Sequence, residues 1–178
     1  VVFGAGGIGL NIVQAAALVS AWPIIAVDRF ESRLKLARQM GATHCINSNQ
    51  GDAETAIKQA LSEQALDAFI DNTGLPEIIE LGYRLTHREG RVVLVGVPRL
   101  GNTVNLYSLP LHFGKQLIGS HGGETHPQQD IPRYLRLEQQ GRLQLKQLVS
   151  AHYPLEQIND AISAMRDGET AGRVMIRF

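Results

Sequence analysis

Three glycines, Gly4, Gly6 and Gly9, follow the apolar residues Val1-Val2-Phe3 at the spacing Gly-x-Gly-x-x-Gly. In this pattern the first glycine permits a sharp turn after a strand, and the second lets a ligand approach the backbone closely. The third lets the next helix pack tightly on the strand. Because the amide groups at the start of such a helix attract anions, the segment predicts a turn that binds the pyrophosphate of a dinucleotide.

The residues beyond the turn strengthen this prediction. The segment from Asn11 to Ser20 has no glycine or proline and carries enough apolar residues for the buried face of a helix. Asp28 ends the next apolar segment, Pro23 to Val27, about 20 residues after the turn, where an acid would accept hydrogen bonds from the adenosine ribose hydroxyls. A glycine turn without a ligand is the alternative, but strand, turn, helix, strand and acid in this order favour the ligand.

Composition excludes several classes of function. Seventeen basic and seventeen acidic residues balance, so we expect no nucleic-acid partner. No apolar run reaches the roughly 20 residues that cross a bilayer, so we expect no membrane partner. The six histidines and the lone cysteine form no metal-binding motif, and Cys45 is predicted to point into or beside a sheet as a small hydrophobe. One cysteine makes no internal disulfide, which fits a reducing compartment, and we expect a cytoplasmic protein.

Helical and extended patterns alternate along the rest of the chain. The strand Val92 to Gly96 is apolar on both faces, which is typical of a parallel sheet covered by helices on both sides. The sequence therefore predicts an α/β fold with a doubly wound parallel sheet, in one domain of residues 1–178. The expected elements after Asp28 are helices at 31–40, 52–64, from 76, 130–140 and 155–166, and strands at 44–46, 67–71, 92–96, 148–152 and 173–178.

Ligands of such a sheet bind beyond the carboxyl ends of its strands. The glycine turn, Asp28, Asn72-Thr73-Gly74 and Gly96-Val97-Pro98 all follow a predicted strand directly. We therefore expect these segments to meet in one crevice.

Four segments of the chain resemble the medium-chain alcohol dehydrogenases of the zinc-dependent type, and in particular their cofactor-binding domain. The resemblance implies a Rossmann core over about residues 1–145 and a tail, 146–178, that returns towards a separate catalytic domain. It also implies that the chain binds NAD(H) for hydride transfer between the nicotinamide and an alcohol or carbonyl substrate. The segments are Gly4 to Gly9, Ile25 to Thr43, Val93 to Pro98 and Pro154 to Phe178.

The resemblance also implies which residues bind the cofactor. Surface exposure is the alternative role for Arg33 and Arg173, and His121 is interpreted as a loop residue. The implied residues are Gly4, Gly6, Gly7 and Gly9 at the pyrophosphate, Ile8 beside the cofactor, Asp28 and Arg33 at the adenosine ribose, Thr73 in the crevice, Val95, Val97 and Ser120 at the nicotinamide, and Arg173 at the pyrophosphate.

Asp28 favours NAD over NADP, because its carboxylate would repel a 2′-phosphate, although the neighbouring Arg29 could accommodate one. The resemblance puts the catalytic zinc in a domain that precedes this one, so we expect no catalytic residue and no metal here, and no activity from this segment alone. The strand Gln116 to Gly119, near Leu117, resembles an edge through which family members pair, so we expect a homo-oligomer.

Two other interpretations remain. One is a zinc-free quinone or enoyl reductase of the same superfamily, which generally uses NADPH and lacks an acid at the position of Asp28. The other is a non-catalytic module that binds NAD(H) and acts through a partner.

Overall fold

The computed structural model describes all 178 residues and contains eight strands and six α-helices, with four short 3-10 helices between them. The strands are β1 Val2–Phe3, β2 Ile25–Asp28, β3 His44–Asn47, β4 Leu66–Asp71, β5 Thr86–Leu94, β6 Gln116–Gly119, β7 Val149–Pro154 and β8 Arg173–Arg177. The α-helices are α1 Gly7–Leu18, α2 Glu31–Gln39, α3 Ala53–Leu61, α4 Pro76–Leu85, α5 Pro127–Gln139 and α6 Ile158–Asp167.

Six strands form one parallel sheet in the order β3-β2-β1-β4-β5-β6. Phe3 of β1 lies between Val27 of β2 and Asp71 of β4, so the strand order reverses on either side of β1. This is the doubly wound order, and ligands of such sheets bind where it reverses. The predicted fold class is confirmed.

Two apolar clusters, one on each face, hold helices against the sheet. Leu10 and Val13 of α1 pack with Leu34 of α2, and Ile57 of α3 packs with Phe69 of β4 in the other cluster. All five side chains are almost wholly excluded from solvent. Each face therefore buries the apolar side of its helices, as the continuous apolar strands predict.

The last two strands form a separate parallel pair, β7 and β8, joined by α6. Leu148, just before β7, is buried in the cluster beneath α1 and α2, which joins this pair to the larger sheet. The far side of the pair is open, since Met175 is half exposed and Phe178 is fully exposed.

Several element boundaries differ from the sequence prediction. Helix α1 begins at Gly7 and not at Asn11, because the glycine turn itself supplies the first helical turn, with the Leu10 amide bonded to the Gly6 carbonyl. Strand β5 begins at Thr86 and not at Val92. Residues 87–91 are polar and show no strand pattern in the sequence, but they are extended and belong to the strand that pairs with β4. None of the helices combines the length and the apolar character that a membrane span requires.

Candidate functional site

A crevice of about 1000 Å³ opens at the carboxyl ends of the central strands. Every residue predicted to bind a cofactor lines it except Ser120. The predicted lining residues are Gly4, Gly6, Gly7, Ile8, Gly9, Asp28, Arg33, Thr73, Val95, Val97 and Arg173.

The three glycines of the Gly-x-Gly-x-x-Gly pattern each meet a different steric requirement. Gly4 has a φ of +92°, which favours glycine, and its amide donates to the Val27 carbonyl at 2.8 Å. A Cβ atom at Gly9 would lie 2.0 Å from the Gly4 carbonyl oxygen, so only glycine permits this contact between helix and turn. A Cβ atom at Gly6 would meet nothing within 4 Å, so this position faces the open crevice.

The start of α1 points into the crevice without a neutralising side chain. Its N-cap residue is Gly6, no side chain caps it, and its first turn contains no acidic residue. The partial positive charge of the helix start is thus available to an anion.

Arg173 lies directly against this helix start. A Cβ atom at Gly7 would be 2.6 Å from Nε of Arg173, so the absence of a side chain at Gly7 makes room for the arginine. Arg173 is the first residue of β8, and the pairing of β8 with β7 brings it there from the end of the chain. An arginine over a helix start is suited to a pyrophosphate, because its planar fork can bind two oxygens.

Asp28 ends β2 with only 5% of its surface exposed. One carboxylate oxygen, Oδ2, accepts from the Ala5 amide at 2.8 Å, and Oδ1 accepts from the Phe30 amide at 3.0 Å. Nη1 of Arg33 lies 3.6 Å from Oδ2. Asp28 therefore ties the glycine turn to the end of β2, a structural contact that sequence reasoning missed.

Two arginines lie over the ring of Phe30, beside Asp28. The guanidinium carbons of Arg29 and Arg33 lie 4.6 Å and 4.7 Å from its ring centroid. Arg33 also donates from Nη2 to the Met165 carbonyl at 3.3 Å, and its side chain is 23% exposed. It is thus a partly covered residue of the crevice and not a fully solvated surface arginine.

The opposite wall consists of the loops that follow β4 and β5. Gly74 and Gly96 approach so closely that a Cβ atom at Gly96 would lie 2.3 Å from the Gly74 amide nitrogen. Asp71, fully buried at the end of β4, accepts hydrogen bonds from the loop that contains Thr73 and Gly74. Oδ1 of Asn72 is buried with no hydrogen-bond partner, which leaves an acceptor for a ligand or water. Sequence reasoning missed Asp71, although it stands at a strand end, as Asp28 does.

Some of the residues considered from sequence lie away from the crevice. The Ser120 amide donates to the Leu94 carbonyl at 2.8 Å, and Ser120 does not line the cavity. Cys45 lies with Sγ 3.3 Å from the Leu34 carbonyl, and burial raises the pKa of its thiol. His121 is exposed in a loop. No three His, Cys, Asp or Glu side chains come close enough together to hold a metal ion.

Comparison with known proteins decides the family. The model of the family described as zinc-binding dehydrogenase matches residues 7–140. The chain belongs to this family. The match confirms the resemblance seen in the sequence, to the cofactor-binding domain of zinc-type alcohol dehydrogenases.

Individual relatives agree with this assignment. An S-(hydroxymethyl)glutathione dehydrogenase of Synechocystis sp. is 32% identical over 98% of this chain and 48% of its own length. The structure of benzyl alcohol dehydrogenase from Acinetobacter calcoaceticus superposes with a TM-score of 0.88 at 38% identity, over 98% of this chain and 48% of that protein. A zinc-binding dehydrogenase from Sinorhizobium meliloti bound to NADP has a TM-score of 0.79 at 27% identity, over 98% and 51%. The chain thus spans about half the length of these relatives.

The geometry of the turn predicts a large effect for one glycine substitution and a small effect for another. Gly9→Ala should lower the free energy of unfolding by about 2 kcal/mol, because its methyl group would overlap the Gly4 carbonyl oxygen. Gly6→Ala should change it by less than about 1 kcal/mol, since Gly6 has an extended backbone and open space at its Cβ position. Urea unfolding of both variants and the unsubstituted chain measures the difference, and equal stability of the two variants would contradict the packing described for Gly9.

Proposed function

We propose that this chain is the NAD(H)-binding domain of a zinc-type alcohol dehydrogenase-like oxidoreductase. The observation that carries the proposal is the convergence of Gly6, Asp28 and Arg173 on one crevice, although they lie far apart in the sequence. Open backbone, a carboxylate and a guanidinium are the groups that a dinucleotide needs for its pyrophosphate and ribose.

The strand order supports one orientation of the dinucleotide. Asp28 follows β2, the glycine turn follows β1, and Thr73 and Val95 follow β4 and β5. With the adenosine ribose at Asp28 and the pyrophosphate between Gly7 and Arg173, the nicotinamide would extend over the ends of β4 and β5. Val95 and Val97 are then proposed to orient it through backbone groups, with Ile8 and Thr73 on its path, whereas Ser120 lies outside the crevice.

The buried carboxylate at the ribose end supports NAD. A 2′-phosphate would lie beside the buried carboxylate of Asp28, and the repulsion between the two anions disfavours NADP. Arg29 and the NADP bound to one relative favour the opposite choice. We propose NAD because Asp28 is closer to the glycine turn, as its bond to Ala5 indicates, whereas Arg29 stacks on Phe30.

Calorimetric titration of the 178-residue chain tests this proposal. We expect NADH to bind, and NADPH to bind about tenfold more weakly or worse at the same salt concentration, because of the repulsion at Asp28. Absence of binding by both would refute the cofactor domain. Tighter binding of NADPH would refute the role of Asp28 and favour a reductase of the NADPH-dependent kind.

A pair of arginines on one strand tests the pyrophosphate contact. Arg173→Ala should weaken NADH binding by about ten- to a hundredfold, the effect of losing charge-assisted hydrogen bonds to a phosphate group. Arg177→Ala is the matched control, because Arg177 is exposed at the other end of β8 and does not line the crevice. Titrations with NADH compare the two variants, and equal affinities would remove Arg173 from the site.

The activity proposed for the whole enzyme is hydride transfer between the nicotinamide and an alcohol or carbonyl substrate. The residues of this chain assemble no zinc site, so no step through zinc is assigned to them. That the chain spans about half of its dehydrogenase relatives supports its acting as one part of such an enzyme. We further propose that the protein is cytoplasmic. We also propose that it forms a homo-oligomer through β6, since β6 is an edge strand paired only with β5.

We expect the 178-residue chain alone to oxidise neither primary nor secondary alcohols, because no three of its His, Cys, Asp or Glu side chains could hold the metal ion that would stabilise an alkoxide as a Lewis acid. Formation of NADH from NAD and alcohol, with and without added zinc, measures this. The binding titration above is the control for a folded chain. Substantial turnover without zinc would contradict the proposal that this chain supplies only the cofactor-binding part of the enzyme.

A further inference from the structure

The carboxylate of Asp71 has no cationic partner although it is fully buried. Its surface exposure is 0%, and no lysine, arginine or histidine forms an ion pair with it. Burial of an unpaired carboxylate is costly unless hydrogen bonds replace the lost water. The groups that supply those bonds therefore indicate what the side chain does.

All three donors to this carboxylate belong to the loop that follows β4. Oδ1 of Asp71 accepts from the Thr73 amide at 2.9 Å and from the Thr73 hydroxyl at 2.6 Å. Oδ2 accepts from the Gly74 amide at 2.9 Å. The side chain thus fixes the loop at two consecutive residues, and Thr73 in turn accepts from the Leu75 amide at 3.1 Å.

The same residue fixes the loop that follows β5 through its backbone. The Asp71 carbonyl accepts from the amides of Val95 and Gly96, each at 2.9 Å. Gly74 and Gly96 are then in backbone contact, and a Cβ atom at Gly74 would lie 2.5 Å from the Val97 carbonyl oxygen. A shift of the first loop would therefore move the second.

These two loops form the wall of the crevice over which the nicotinamide would extend, if the proposed function is correct. We propose that Asp71 is a positioning residue for the nicotinamide half of the cofactor. It contacts no cofactor atom itself. It holds the backbone of Thr73, Val95 and Val97 in the arrangement that receives the ring.

Asparagine cannot replace the carboxylate in this arrangement. An amide side chain has one acceptor oxygen and one donor NH₂ group, whereas all three groups that face Asp71 are donors. In either orientation of the substituted side chain, its NH₂ group would face a loop N–H. Asp71→Asn therefore releases one end of the loop while it preserves the size of the side chain.

Titrations of the 178-residue chain with NADH and with ADP-ribose separate positioning from general stability, because ADP-ribose lacks the nicotinamide. We expect Asp71→Asn to weaken NADH binding by about tenfold or more and ADP-ribose binding by less than about threefold. The substitution loosens only the wall of the crevice that receives the nicotinamide, so only the ligand with a nicotinamide loses a preorganised site. The matched control, Asp67→Asn, makes the same change on an exposed residue of β4 and should leave both affinities unchanged.

The outcomes are distinguishable. Selective loss of NADH affinity supports the assignment, while equal loss for both ligands, or no loss, overturns it. If Asp71→Asn does not fold, Thr73→Val tests the assignment through the same comparison of NADH and ADP-ribose affinities. This variant removes only the hydroxyl that donates to Oδ1 of Asp71 and accepts from the Leu75 amide. If the unsubstituted chain binds ADP-ribose but not NADH, the assignment fails while the adenosine site stands. If it binds neither, the proposed function fails first.

Discussion

The contact between Gly9 and the Gly4 carbonyl oxygen constrains the whole crevice. It holds α1 against the end of β1, so that the helix start faces the point where the strand order reverses. Gly7 then provides the surface on which Arg173 rests, and Ala5 presents its amide to Asp28. This one backbone contact, which no larger residue permits, thus places the positive end of the helix beside the arginine and the carboxylate.

Two buried carboxylates extend this constraint to both sides of the glycine turn. Asp28 ends β2 and Asp71 ends β4, the two neighbours of β1, and each accepts hydrogen bonds from the backbone of an adjoining loop. Buried carboxylates in such positions are stabilised by charge-assisted bonds, and they make those loops more rigid than a neutral residue could. The crevice is therefore shaped before any ligand enters, which reduces the entropy lost on binding.

Local patterns were sufficient to predict the fold class and most of the crevice. The glycine spacing, the acid at Asp28 and the order of apolar strands each depend on residues close in sequence, or on the rule that parallel strands share one carboxyl edge. The start of β5 was missed because its polar residues do not alternate. The bonds of Asp28 to Ala5 and of Asp71 to Thr73, and the stacking around Phe30, could not be predicted, because they depend on side-chain geometry that no spacing specifies.

The tail contributes more to the crevice than its separate sheet suggests. Gly168 packs on Phe30 so closely that a Cβ atom would lie 2.2 Å from the ring, and its carbonyl accepts from the Ser32 hydroxyl at 3.0 Å. Together with Arg173 on Gly7, these contacts make the end of the chain one rim of the proposed ribose and pyrophosphate site. A division near residue 145 therefore separates two sheets but not two functions. A displacement of α6 and β8 would alter the phosphate contact without disturbing the six-stranded sheet.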